Sequence, residues 1–209
     1  MNTLPERILI ATGNQGKVKE IRDLVQGLPV VFLSLADVSD PPEVVEDGLT
    51  FEENALKKAR TLAAATGMVT LADDSGLCID ALDGRPGVHS ARYAGVGASD
   101  AEKCARILQE MENVPDHRRT ARFVCVMALV TPQVEQKLFR GVCDGTITRQ
   151  PRGTSGFGYD PIFYFEEAGS TFAEMDRQSK NRVSHRGRAL RGFAAYLEGV
   201  LRGEFSASR

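Results

Sequence analysis

Two adjacent carboxylates at the end of an apolar run are the residues with the clearest chemical potential in this sequence. Asp73 and Asp74 stand in the segment ADDSG, residues 72–76. Neighbouring negative charges repel one another unless a cation compensates them, and Mg²⁺ favours one or two carboxylates together with water and phosphate oxygens. A carboxylate beside a metal-bound water also acts as its general base. The same segment is equally typical of a turn that caps its own backbone, so the spacing leaves both interpretations open.

A second acidic segment lies upstream of this pair. From Asp37 to Glu53 the sequence has seven acidic residues and no basic one. Most of these carboxylates are expected to be solvated in a loop and at a helix start, but one of them is a candidate partner for Asp74 in a metal site. Lys57 and Lys58 follow on the same predicted helix, where exposure to solvent is the default expectation.

A glycine-containing turn between a predicted strand and a predicted helix is a candidate phosphate site. Backbone N–H groups at such a turn converge on an anion, and the helix N-terminus and a lysine add positive charge. The residues concerned are Thr12, Gly13, Asn14, Gln15, Gly16 and Lys17. The spacing differs from a Walker A loop, which needs four residues between its glycines and Ser or Thr after the lysine. An ordinary strand-to-helix turn with a surface lysine is the alternative.

A loop with three glycines and two aromatic residues covers residues 153–161. An aromatic face in such a loop stacks on a nucleobase, and a carboxylate beside it accepts a hydrogen bond from a base N–H group. The candidates are Phe157, Gly158, Tyr159 and Asp160. The loop is not a dinucleotide fingerprint, because Pro161 stands where the third glycine belongs. A purely structural turn is the alternative interpretation.

The segment from Arg177 to Arg191 has six lysine or arginine residues, one histidine and no acid. Basic side chains there would suit a polyphosphate or a base oxygen, and Lys180, His185 and Arg186 are the candidates. Ser184 is the predicted N-cap of a C-terminal helix. The remaining arginines of the segment are expected to form a solvated helix face: Arg182, Arg188 and Arg191.

The elements that must position these groups follow from hydrophobic periodicity and turn residues. Predicted strands cover Arg7 to Thr12, Val30 to Leu35, Met68 to Ala72, Arg122 to Val130 and Glu135 to Cys143. Predicted helices follow Asn14, cover Phe51 to Thr66 and Ser99 to Val114, and end the chain with a stripe of Leu190, Phe193, Ala194, Leu197 and Leu201. The third strand is expected to run into an acidic turn, and the last two strands to form a long hairpin. This order predicts a mixed α/β protein with a twisted sheet.

Composition restricts the class of protein further. The chain has 209 residues, a net charge of −2 and four cysteines without a CxxC pair. These values predict one domain over residues 1–209, reduced thiols and a cytoplasmic location. Binding to nucleic acid through the whole surface is disfavoured by the charge. We expect no membrane span and no secretory signal, because no long apolar segment is present.

Read together, six motifs resemble the inosine triphosphate pyrophosphatase family, the XTP/dITP diphosphatases. They are TGNQGK (12–17), EDGLTFEENALKKAR (46–60), ADDSGL (72–77), GVHSARY (87–93), GFGYDP (156–161) and K-x4-HR (180–186). The resemblance extends from Ile8 to about Leu201. It implies a two-lobed mixed α/β fold with a long central twisted mixed sheet flanked by helices, an active site in the cleft between the lobes, and a homodimer.

The resemblance also implies an activity and roles for individual residues. It implies Mg²⁺-dependent hydrolysis of ITP, dITP and XTP to the nucleoside monophosphate and pyrophosphate. Asp74 would be the proton acceptor and a metal ligand, Glu46 the second metal ligand, and Asp73 and Lys58 would support this centre. The residues implied to bind substrate are those from Thr12 to Lys17, Ser75, Phe157 to Asp160, Lys180, His185 and Arg186.

Three rival functions remain open at the level of sequence. A Maf-type pyrophosphatase for modified pyrimidine nucleotides is disfavoured by the GFGYDP and K-x4-HR segments. A non-catalytic nucleotide sensor is disfavoured by the complete set of Glu46, Asp73 and Asp74. An RNA-binding protein that uses residues 177–191 is disfavoured by the net charge.

Overall fold

The computed structural model describes residues 5–204 and, within them, seven strands and five α-helices. The strands are Arg7–Ile10 (β1), Val31–Ser34 (β2), Val69–Ile79 (β3), Thr120–Val130 (β4), Gln136–Ile147 (β5), Phe163–Phe165 (β6) and Ser170–Thr171 (β7). The helices are Gln15–Val25 (α1), Phe51–Thr66 (α2), Asp100–Glu110 (α3), Arg177–Val183 (α4) and His185–Leu201 (α5). Strands and helices alternate in the first half of the chain, as predicted.

The strands form one mixed sheet in the order β2-β1-β3-β4-β5-β6-β7. Strand β1 pairs parallel with both β2 and β3, whereas β6 pairs antiparallel with β5 and β7. The bonds from Thr131 N–H to Glu135 O and from Ile147 N–H to Arg119 O join the two ends of β4 and β5 as an antiparallel hairpin. The predicted mixed α/β class and long hairpin are therefore confirmed.

Capping residues explain where the two helices that flank the candidate site begin. The Asn14 side chain accepts a hydrogen bond from Lys17 N–H, so α1 begins at the predicted N-cap. Thr50 and Glu53 form a reciprocal capping box at the start of α2. Helix α2 ends at Gly67, whose φ of +66° is a left-handed conformation that glycine adopts without strain. The predicted bounds of α2 are confirmed at both ends.

Four local predictions are wrong. Strand β3 does not turn at the acidic pair but continues through it to Ile79, so the interpretation of residues 72–76 as a turn is excluded. Helix α3 ends at Glu110 rather than Val114. Strand β5 continues to Ile147 rather than ending at Cys143. The predicted N-cap Ser184, by contrast, is confirmed, because α5 begins at His185 and Gly187 N–H donates to Ser184 Oγ at 3.2 Å. The short helix α4 before it was not predicted. Leu201 is exposed rather than part of the core stripe.

The chain divides into two compact units, each with its own core. The first unit takes the described residues of Met1–Asp74, Cys125–Gly141 and Arg188–Arg209, and its core includes Ile8, Ile10, Leu71, Phe193 and Leu197. The second unit takes Ser75–Val124 and Val142–Gly187, and its core includes Leu77, Ile107, Phe123, Phe163 and Phe172. All four cysteines are free thiols. Among residues 5–204, no helix combines the length and the apolar character needed to cross a bilayer.

Candidate active site

The two adjacent carboxylates of the first unit, Asp73 and Asp74, both lie on strand β3. Successive side chains of a strand point to opposite faces, so Asp73 and Asp74 have different surroundings although they are neighbours in sequence. Asp73 Oδ2 lies 2.8 Å from Lys17 Nζ. Asp74 Oδ2 accepts a hydrogen bond of 3.0 Å from Asn54 Nδ2. Both carboxylates are at least nine-tenths buried, and each is stabilised by a different element.

Lys58 links α2 to the acidic strand and to the loop before the helix. Its Nζ donates to the backbone carbonyl of Asp73 at 2.9 Å and forms an ion pair with Glu46. Burial alone would lower the pKa of Lys58, but the charges of Asp73 and Glu46 outweigh this effect and raise the pKa above its ordinary value. Lys58 is therefore a fixed positive charge within this group, rather than the solvated surface lysine of the default expectation.

The pKa of Asp74 is raised above its ordinary value, mainly because the side chain is buried. The hydrogen bond from Asn54 and the charge of Lys17 lower the pKa, and the nearby charge of Glu46 raises it. A carboxylate with a raised pKa is a stronger base than an ordinary aspartate. The environment of Asp74 is thus suited to accepting a proton.

The chemistry of this group fits a hard divalent cation. Glu46 and Asp74 supply carboxylate oxygens, and the nearby ionisable groups are Asp73, Lys17 and Lys58. Three carboxylates and two ammonium groups leave a net charge of −1, which a cation would compensate. The described part of the chain has no group of three or more His, Cys, Asp or Glu residues able to enclose a metal ion. Two carboxylates nevertheless suffice for Mg²⁺ when phosphate and water complete its coordination.

Two local hydrogen bonds hold the predicted phosphate turn, which extends from Thr12 to Lys17. Thr12 Oγ1 accepts a hydrogen bond of 3.2 Å from Asn14 N–H, and Asn14 Oδ1 accepts one of 3.1 Å from Lys17 N–H. A Cβ atom added at Gly13 would have no neighbour within 4 Å. The backbone of Gly13 is therefore open to solvent. Gln15 and Gly16 lie in the first turn of α1, where Gln15 is exposed and Gly16 is half-buried.

In the second unit, Asp160 holds the glycine loop and a basic residue together. Its Oδ2 accepts hydrogen bonds from Lys180 Nζ at 2.6 Å and from Phe157 N–H at 2.9 Å. A Cβ atom at Gly156 would lie 2.1 Å from the same oxygen, so this position requires glycine. Lys180 Nζ also lies 4.8 Å from the centre of the Phe157 ring, at the distance of a cation–π contact. Asp160 therefore positions Phe157 and Lys180.

The first turn of α5 places the other two basic candidates beside this loop. Arg186 Nη2 donates to Ser75 Oγ at 2.9 Å, and the Arg186 guanidinium lies 5.6 Å from the centre of the Phe157 ring. His185 stacks on Phe123 with 4.6 Å between ring centres. Gly187 permits this arrangement, because a Cβ atom there would lie 1.8 Å from the backbone oxygen of Asn181.

Tyr159 has a different environment from the other loop candidates. Its ring is buried and its hydroxyl group donates to the Ser90 carbonyl at 2.8 Å. Burial also raises the pKa of Tyr159 above its ordinary value. Tyr159 thus supports the loop from its buried side, whereas Phe157 and Gly158 are half-buried and reach the protein surface.

The basic segment divides by burial, and its solvated helix face lies where it was predicted. Lys180, His185 and Arg186 are each at least nine-tenths buried. The arginines expected to be solvated are exposed: Arg182, Arg188 and Arg191. Among the residues that contact the candidate groups, sequence analysis missed Asn54, Phe123 and Ser90. The spacing offered a signal for Asn54, because it lies four residues before Lys58 and thus on the same face of α2.

Comparison with known proteins agrees with this fold and identifies the family of the chain. The family model described as the Ham1 family matches residues 8–196. A dITP/XTP pyrophosphatase of Geobacter sulfurreducens is 55% identical over 184 residues, covering 88% of this chain and 92% of that protein. A solved HAM1 protein from Coxiella burnetii is 44% identical with a TM-score of 0.86, covering 92% of this chain and 98% of that one. A solved dITP/XTP pyrophosphatase from Mycobacterium abscessus is 46% identical with a TM-score of 0.74, covering 90% of this chain and 98% of that one.

The fold and the candidate site define a mixed α/β protein in which carboxylates from one strand and one loop are paired with lysines from two helices. This chain belongs to the Ham1 family. The resemblance to the XTP/dITP diphosphatases is thereby confirmed at the level of the family and the fold.

Proposed function

We propose that this protein hydrolyses non-standard purine nucleoside triphosphates, namely ITP, dITP and XTP, to the nucleoside monophosphate and pyrophosphate. The observation that carries the proposal is the group of two carboxylates, Asp74 and Glu46, and two lysines, Lys17 and Lys58, in a member of the Ham1 family. The relatives named dITP/XTP pyrophosphatase support the purine substrates. Removing such nucleotides from the pool would be the physiological consequence.

In this proposal Glu46 and Asp74 hold Mg²⁺, which supplies positive charge to the phosphate oxygens when it is bound. Asp74, with its raised pKa, accepts the proton of the water that attacks the α-phosphorus. Lys17 and Lys58 stabilise the negative charge that develops on the phosphate oxygens. Asp73 keeps Lys17 in place through its ion pair.

The remaining predicted residues bind the rest of the substrate. The backbone from Thr12 to Lys17 receives phosphate oxygens, and the open space at Gly13 allows a close approach. Phe157 stacks on the purine, while Arg186, Lys180 and His185 provide basic groups for the base and phosphates. Ser75 lies beside the triphosphate, and Asp160 and Tyr159 hold the base-binding loop in shape.

Product analysis after incubation with Mg²⁺ and separate ITP, XTP, dITP, GTP and ATP samples tests the proposal. We expect the monophosphate and pyrophosphate from the first three nucleotides and little product from the last two. ATP lacks the 6-oxo group, and GTP carries a 2-amino group that would leave buried polar atoms unpaired. Orthophosphate with a diphosphate, or no turnover of any purine, would contradict the proposal.

The position of attack is tested by running the reaction in ¹⁸O-labelled water. Attack at the α-phosphorus places the label in the nucleoside monophosphate, whereas attack at the β-phosphorus places it in pyrophosphate. We expect the label in the monophosphate. Repeating the reaction without Mg²⁺, in the presence of a chelator, should abolish turnover, and full activity without metal would contradict the role of Glu46.

We also propose that the protein is a homodimer, as the resemblance implies. Sedimentation equilibrium of the wild-type protein measures the mass directly, and the chain mass of 22.8 kDa should be doubled. A monomer over the whole concentration range would overturn this part of the proposal without affecting the activity.

A further inference from the structure

Asn54 forms one hydrogen bond to Asp74 and another to the loop that carries Glu46. It is completely buried on the first turn of α2. Its Nδ2 donates to Asp74 Oδ2 at 3.0 Å, and its Oδ1 accepts from Gly48 N–H at 2.8 Å. Gly48 stands two residues after Glu46. A single amide therefore connects the proposed proton acceptor to the segment of the second proposed metal ligand.

The orientation of this amide follows from its partners. A backbone N–H group only donates, so the atom that faces Gly48 must be the amide oxygen. The amide nitrogen then faces Asp74 and donates to its carboxylate. Asparagine is the side chain of this length that offers one acceptor and one donor at the same time. Aspartate would keep the acceptor, lose the donor and add a second negative charge beside Asp74.

Packing around Gly48 makes the connection stiff. A Cβ atom at Gly48 would lie 2.7 Å from Asn54 Oδ1 and 2.9 Å from Glu53 Cβ. The backbone of the loop thus lies directly against the first turn of α2, and this turn is itself held by the Thr50–Glu53 capping box. A side chain at position 48 would move either the loop or the amide of Asn54.

We infer that Asn54 is a positioning residue, which fixes the orientation of the Asp74 carboxylate relative to the loop of Glu46. This inference deepens the proposed function and rests on the roles proposed there for Asp74 and Glu46. Asn54 has no proposed contact with the substrate. Its effect is to hold two oxygen ligands from different elements in the geometry that one divalent cation requires.

Two variants perturb this connection from opposite sides, and each has a matched control. Asn54→Asp removes the donor to Asp74, and Gly48→Ala forces the loop away from Asn54. Asn113→Asp changes an exposed asparagine in the same way. Gly192→Ala adds a methyl group whose nearest neighbour is 3.7 Å away, which is an ordinary contact.

We expect both test variants to lower kcat by roughly 10–100-fold, the range seen when residues that orient metal ligands are replaced. The KM for the nucleotide should change less than kcat, because the phosphate and base contacts are retained. Mg²⁺ affinity, measured by calorimetry on nucleotide-free protein, should fall as well, and the control variants should match the wild type. A purely structural role predicts a lower melting temperature with unchanged kcat and Mg²⁺ affinity of the folded protein. That result would overturn the inference.

A comparison that leaves Asn54 and Gly48 unchanged protects the test against failure of the Asn54 and Gly48 variants to fold. Relative to the wild type, the side-chain amide protons of Asn54 should shift in Asp74→Asn, measured by NMR without metal, and should not shift in Asp144→Asn. Unchanged Asn54 signals in Asp74→Asn would overturn the inference. If the wild type hydrolyses no purine triphosphate, the proposed function fails by itself, whereas the calorimetric and NMR results still decide whether Asn54 connects Asp74 to the loop.

Discussion

At the scale of residues, the candidate active site is a set of opposite charges that are paired within the protein. Asp73 pairs with Lys17, Glu46 pairs with Lys58, and Asp74 accepts a hydrogen bond from the side-chain amide of Asn54. The alternation of side chains along β3 is what allows two adjacent carboxylates to have separate partners. Burial raises the pKa of Asp74 above its ordinary value.

Asp74→Asn should abolish turnover without lowering the stability of the protein. A raised pKa in the folded state means that the charged carboxylate destabilises the fold above that pKa, and that this cost disappears below the ordinary value of 3.8. The amide removes the charge and keeps an oxygen that accepts from Asn54. Turnover assays with thermal unfolding at neutral pH test this, with the exposed Asp144→Asn as control. Full activity in Asp74→Asn would show that Asp74 is not the proton acceptor.

Lys17→Met should destabilise the protein, because it leaves a buried carboxylate without its ion-pair partner. Asp73 is completely buried in this pair and the Lys17 side chain is 15% exposed. Loss of one partner of a buried pair costs about 3–5 kcal/mol. The double variant Lys17→Met with Asp73→Asn should recover most of this loss in urea unfolding. If the double variant is as unstable as the single one, the ion pair is not the cause.

At the scale of elements, sequence analysis succeeded where local signals and burial agree. Helix α2 has a cap at Thr50 and a terminating glycine at position 67, so both of its ends were predicted. The predicted β3 ended too early because aspartate, serine and glycine are depleted in strands. The sequence alone does not show which cations lie beside the buried carboxylates and compensate their charge. Helix α4 was missed because seven mostly polar residues have no apolar stripe.

Helix α3 offers a test of pH dependence at this scale. Glu110 accepts hydrogen bonds from Tyr93, Arg85 and Arg106 at 2.7–3.0 Å. Burial raises its pKa, but these three hydrogen bonds outweigh burial and hold the pKa below its ordinary value of 4.5. Such a group stabilises the fold above the ordinary pKa, and this contribution is lost as the pH falls through the lower, folded value.

Glu110→Gln should therefore be less stable than the wild type at neutral pH. The difference should shrink as the pH falls below 4.5, because the wild-type carboxylate becomes protonated there. Urea unfolding at several pH values measures this, and the exposed Glu112→Gln serves as control. A difference that is independent of pH would show that packing, rather than the charge of Glu110, is responsible.

At the scale of the whole molecule, the mixed α/β class and the family were predicted from the order of elements and the motifs, and both are confirmed. The partners of the site residues were not predictable. The bond from Tyr159 to the Ser90 carbonyl joins residues 69 positions apart, and the stack of His185 on Phe123 is equally non-local. Such contacts depend on the tertiary fold, which residue types and spacing do not encode directly.

The basic segment from Arg177 to Arg191 should not make this protein an RNA-binding protein. Its exposed arginines are balanced by a net charge of −2 over the chain, and Lys180, His185 and Arg186 are buried. We expect no retention of single-stranded RNA in filter binding at physiological salt, with a basic RNA-binding protein as positive control. Tight binding that weakens steeply as salt rises would contradict this expectation.

Gly187 affects how mutational data on this protein should be interpreted. Every other amino acid brings a Cβ atom that would collide with the Asn181 backbone oxygen, so a saturation library should lose nearly all variants at this position. The exposed Arg188 beside it should tolerate most changes. Gly187 has no side chain that could take part in chemistry. Intolerance to substitution at this position therefore reports the close approach of two helices, and a map of sensitive positions would overstate the extent of the active site.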